Sequence, residues 1–130
     1  MTVRTFLRLT ASATAVIGPT LLLFPGFINE LFVVSPAHGS DIFIRFLGSA
    51  LIGYTYLNWY SAHYSKTTSI HPTLVGNFST LSIALILSII AVLNGSLKAS
   101  GWAIVLLHLV FASGFGWFLW RLRPDAQHSS

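Results

Sequence analysis

Four runs of about twenty residues, 6–24, 42–60, 73–93 and 101–120, contain only two charged side chains between them, Arg8 and Arg45. At 1.5 Å of rise per residue each run makes a helix of roughly 30 Å, the thickness of a bilayer's hydrocarbon core. No other feature narrows the fold so far, because what remains cannot clothe a soluble body. Of 130 residues 8% are charged and 54% hydrophobic, and the mean hydropathy is +0.74. A soluble domain carries about 25% charged residues. The pattern predicts an all-α fold, a four-helix transmembrane bundle occupying residues 1–130 as one integral membrane domain. The links are short, so consecutive helices should be antiparallel neighbours running up-down-up-down.

The N-terminus is the one place where a span could be mistaken for a leader. Arg4 and Arg8 resemble a positive region, and Ala13-Thr14-Ala15 a cleavage site. The apolar run before that site is shorter than the roughly 7–15 residues a signal peptide needs. Apolar character continues through Leu21-Leu22-Leu23-Phe24, so an uncleaved first span is expected, kinked at Pro19. Pro25-Gly26 ends it. The next residues, Phe27 to Val34, are too few to cross. They are expected to form a short interfacial helix, with Phe27, Leu31, Phe32 and Val34 on its apolar side and Asn29 and Glu30 facing water.

Small residues mark the expected helix contacts. Ser49 and Gly53 on the second span have the four-residue spacing that permits close approach. On the third, Gly76, Thr80, Ala84 and Ser88 repeat every four residues, and on the fourth Ala112 and Gly116 share a side with His108. Pro72 is placed in the first turn of the third span.

The seven basic residues stand singly at span ends, as membrane anchors do, and form no stripe suited to nucleic acid. Arg4, Arg8, Lys66, Arg121 and Arg123 gather on one side against Arg45 and Lys98 on the other. This asymmetry predicts both termini in the cytoplasm. Trp59, Tyr60, Tyr64, Trp117 and Trp120 fall at the cytoplasmic edge and Trp102 at the far edge, as an aromatic belt requires.

Chemistry is sparse. The chain has no cysteine, which removes disulfides and thiolate ligands. His63, His71 and His128 share no metal-ligand spacing, and no serine–histidine–acid set or paired carboxylate lies within the spans. No metal, haem or other cofactor is expected; haem between helices would call for a second histidine at the depth of His108. Three side chains stand out as ligand-binding positions: Arg45, His108 and Asn58. Arg45 also has a structural reading, an ion pair with Asp41 one turn earlier and with Glu30, stapling the first connection onto the second span. His108 has one too, as interhelical glue bonded to Asn77, Thr80 or Ser88.

The segment FPGFINELF, followed by IRFLGSALIGYTYLNW, resembles small four-span membrane proteins of bacteria grouped loosely as DoxX-like. In these an Arg-x-Leu/Phe-Gly-x-Ala element, here Arg45 to Ala50, opens the second span after an apolar, proline-bearing connection. The likeness covers the first half of the chain. It implies a helical bundle in a bacterial inner membrane and no particular activity. Two functions follow from the residues: a non-enzymatic accessory subunit that associates with itself or another membrane protein, or a small-molecule binder or transporter using His108 and Arg45. Membrane lipid is the expected partner in either case. Polar groups converging on one cavity would favour the second, and polar groups consumed in helix pairs the first.

Overall fold

The computed structural model describes residues 1–64 and 67–122. Five helices follow in order: α1 (Val3–Leu23), α2 (Pro25–Phe32), α3 (Ser40–Ser61), α4 (Thr67–Leu93) and α5 (Gly101–Arg121). Thr2 caps α1 through its hydroxyl, which accepts from the Thr5 amide at 3.2 Å. Phe24 alone separates α1 from α2, whose first residue, Pro25, has no amide hydrogen to leave unpaired. Gly39, with φ of 80°, makes the left-handed turn into α3. Pro72 lies inside α4, which starts at Thr67, a turn and a half earlier than the sequence suggests.

Three helices, α1, α4 and α5, are long and apolar enough to cross a membrane. α3 matches them with 22 residues but not in apolarity, because Asp41, Arg45, Asn58 and three tyrosines dilute it. The helices pack as two tight antiparallel pairs, α1 with α3 and α4 with α5. Contact between the pairs is much thinner and concentrates at the end that holds Met1 and Arg121.

There Phe6 of α1 enters α5, with ring centroids 4.8 Å from Phe115, 5.4 Å from Phe118 and 6.0 Å from Phe111. The ring lies against Gly114, where a β-carbon would overlap it. Leu7, Ala62, Ile70 and Leu74 complete this buried cluster. Such packing gains contact energy rather than hydrophobic energy where the alternative neighbour is lipid.

At the opposite end the two connections clasp each other. Val33 and Leu97 form a one-residue antiparallel bridge. The Val34 amide donates to Ser96 at 3.1 Å, and the Lys98 amide to Phe32 at 2.8 Å. Lys98 Nζ and Ser100 Oγ donate to the carbonyls of Glu30 and Leu31, each at 2.5 Å.

α2 departs from the sequence expectation at Asn29. That residue is buried, and its amide nitrogen donates to Ser40 Oγ at 2.9 Å and to the Asp41 carboxylate. Glu30 is exposed as expected, and Phe27, Leu31 and Val34 are exposed on the apolar side. Beside lipid a short amide side chain is better satisfied by partners inside the protein than left on the surface.

Candidate functional site: a cavity between the helix pairs

Between the packed end and the clasp the pairs stand apart around a half-open cavity of about 770 Å³. α1 contributes Thr10, Ala13, Thr14 and Ile17; α3 contributes Leu47, Leu51 and Tyr54; α5 contributes Ala103, Ile104, Leu107, His108 and Phe111. Ile28, Phe32, Val33 and Leu97 floor it at the clasped end. The walls are overwhelmingly aliphatic, and no charged side chain lines them among the described residues.

Most polar groups near the cavity are consumed by helix pairing. α3 and α4 meet through a three-rung ladder. Ser61 Oγ and Thr73 Oγ1 lie 2.8 Å apart, Asn58 and Asn77 exchange amide hydrogen bonds of 3.0 and 3.3 Å, and Tyr54 Oη and Thr80 Oγ1 lie 2.7 Å apart. The asparagines also donate to Tyr54 O and Thr73 O, both at 2.8 Å, so the amides are fully engaged. On the other side Thr55 donates to Thr14 at 2.8 Å while Thr14 donates to its own helix backbone. Thr10 likewise spends its hydroxyl proton on Phe6 O at 3.0 Å.

His108 differs. It sits about two turns into α5 from the clasped end. Of its three expected partners the ring meets Ser88: Nδ1 lies 3.3 Å from Ser88 Oγ. Ser88 is buried and also contacts Leu85 O at 2.9 Å, a carbonyl that can only accept. Placing the serine proton on Leu85 O, the nearer of its two contacts, makes His108 Nδ1–H the donor to the serine oxygen. No carboxylate lines the wall to balance an imidazolium, and a neutral ring carries one N–H. Nε2 is left as an acceptor on a ring that forms part of the cavity wall.

The other sequence-selected residues lie apart from this site. Arg45 is exposed and donates from Nη1 to Leu22 O at 2.6 Å, tying α3 to the last turn of α1. Asp41 accepts from Asn29, only the backbone carbonyl of Glu30 is engaged, by Lys98, and no ion pair joins Arg45 to either carboxylate among the described residues. Asn58 is fully buried inside the ladder, so its amide has no edge for a ligand. His63 folds back on its own helix, 2.8 Å from Trp59 O. Lys66, Arg123 and His128 lie outside the described residues.

The helix-packing residues also redistribute. A β-carbon on Gly53 or Gly76 would meet nothing within 4 Å, and Ser49 is exposed. The close approach on α3 is at Gly48, whose added β-carbon would stand 2.7 Å from Gly18 O and 2.8 Å from Leu22 N. On the α4–α5 side Ser88 and Ala112 are buried, Ala84 is half-buried and Gly116 faces the Phe78 ring, while Thr80 turns to Tyr54. Sequence reasoning missed Thr10, Thr14, Tyr54 and the aliphatic wall. Tyr54 and Thr80 are recognisable only once α3 and α4 are placed side by side.

No protein-family model, curated protein or solved structure matches this chain. What stands is a small, all-helical, multi-span integral membrane protein.

Proposed function

We propose that the protein binds an apolar small molecule in the cavity between its helix pairs, within the membrane, and does so without chemistry of its own. The observation that carries this reading is the cavity itself. Its volume lies inside the 300–1,000 Å³ range of small-molecule sites, and its walls are aliphatic with few polar points, the usual make-up of such sites. The ladder groups are spent on helix pairing, the sign of an accessory subunit, and His108 alone is left on the cavity wall, with no hydrogen-bond partner for Nε2 among the described residues.

The same reading takes four crossings, with α3 as the second, in a bacterial inner membrane with both termini cytoplasmic. Support for α3 comes from where its polar groups go. Asn58, Ser61 and Thr55 are turned onto α4 and α1, and Arg45 is bonded to a backbone carbonyl, so these groups meet their partners within the protein rather than in lipid. Arg4, Arg8 and Arg121 stand at the packed end, opposite Arg45 and Lys98, in agreement with the orientation.

Purification in mild detergent, followed by extraction and mass spectrometry, tests the binding reading. A stoichiometric apolar compound is expected with the native protein. It should be lost from the double variant Ala13→Phe, Ala103→Phe, which places two rings in the cavity. An empty native protein, or equal loading of the filled variant, overturns it.

A further inference from the structure

Resting on that reading, we infer that the cavity selects a neutral, long-chain molecule whose single polar head donates a hydrogen bond, an alcohol rather than an acid, amine or ether, and that His108 Nε2 receives it. Charge is excluded first. No Lys, Arg, Asp or Glu lines the cavity among the described residues, so an ammonium or carboxylate head would lie in an aliphatic wall without a counter-ion.

The sense of the hydrogen bond is set next. With the Ser88 proton assigned to Leu85 O, the nearer contact at 2.9 Å, Ser88 Oγ accepts from His108 Nδ1–H at 3.3 Å. That assignment gives the ring the tautomer with a bare Nε2. A hydroxyl head satisfies that lone pair; an ether or ester oxygen would face it with a second lone pair. Thr10 and Thr14 offer no rival donor, their protons being committed to Phe6 O and to Thr10 O or Ala11 O. The Tyr54–Thr80 contact is the one competing position, since two hydroxyls share one hydrogen bond at 2.7 Å and keep a second proton. That position is a donor and would suit a carbonyl head, which makes the two alternatives separable.

The tail has a place as well. From His108 the aliphatic surface of Ile104, Leu107, Leu51, Leu47 and Ile17 extends along the cavity. A chain seated there lies parallel to the helices while its head meets the imidazole.

The test uses the full-length protein in nanodiscs and two photoreactive probes: a C12 primary alcohol with a mid-chain diazirine, and its O-methyl ether. Labelled residues are located by mass spectrometry. The alcohol is expected to label the cavity walls about five- to ten-fold more than the ether, the factor one hydrogen bond supplies. His108→Leu should reduce the alcohol to the ether's level, and His108→Gln, which restores an acceptor oxygen, should recover much of the preference. Unchanged ether labelling in each variant certifies an intact cavity. Tyr54→Phe should leave the preference alone.

Equal labelling of the cavity by both probes in the native protein overturns head selection while the cavity reading stands. A preference that survives in His108→Leu, or that disappears in Tyr54→Phe, overturns the assignment to Nε2. Failure of both probes to label the cavity overturns the cavity reading and this inference together.

Discussion

Gly48 and Gly53 sit five residues apart on one helix and serve opposite ends. A side chain at Gly48 would collide with the backbone of α1 at Gly18 and Leu22, which cannot rotate away. At Gly53 there is open space. Gly48→Ala is therefore expected to destabilise the protein by about 1–3 kcal/mol, the scale of overpacking in a closed contact. Gly53→Ala should be neutral or stabilising by up to about 1 kcal/mol, because a helix-interior glycine carries an entropic cost. Unfolding in SDS, or steric trapping in bicelles, measures both. Equal effects at the two positions would mean that α1 and α3 do not cross at Gly48. Sequence spacing ranks them the other way, since Gly53 has Ser49 four residues before it while Gly48 stands between Ile44 and Ile52. What separates them is which side of the helix faces a backbone.

At the scale of elements, α3 is defined less by its apolarity than by the ladder it makes with α4. Asn58→Leu leaves the Asn77 amide buried without its partner, and Asn77→Leu does the same to Asn58. Each substitution is expected to cost about 1–2 kcal/mol, near the upper scale for such bonds between membrane helices. The double variant should cost clearly less than the sum, since it leaves no orphaned amide. Strict additivity would remove the ladder. Helix number, order and approximate bounds were legible from run length and from the breaks at Pro25-Gly26 and Asn94-Gly95. The tight pairs, α1 with α3 and α4 with α5, also followed from the short links; the side-chain partners of the α3 polar groups did not. A period of 3.6 identifies a polar side of α3 but is silent on whether it turns to α1, α4, water or lipid. The burial of Asn29 on α2 has the same origin: amphipathicity marks it as polar, but only the placement of Ser40 and Asp41 decides that it turns inward.

For the whole molecule, the crossing of α3 decides the topology, and the alternatives are opposite in sign. Four crossings place Lys66 and the C-terminus on the same side as Met1, with Lys98 across the membrane. With α3 lying on the surface, three crossings would put Lys66 and the C-terminus on the far side from Met1 and Lys98 on the near one. Reporter fusions after Lys66, Lys98 and Ser130 are expected to read cytoplasmic, external and cytoplasmic; the reverse pattern would sink the four-crossing reading. The α3–α4 ladder also carries a consequence for how such a chain is made. Asn58 and Ser61 leave the ribosome while Thr73 and Asn77 are still inside its tunnel, so on emergence α3 holds polar groups that lipid cannot satisfy. Its release into the bilayer must wait for its partner. Biogenesis of this protein is thus expected to proceed by helical hairpins handed over together, with α3 retained at the insertion machinery until Thr80 has emerged.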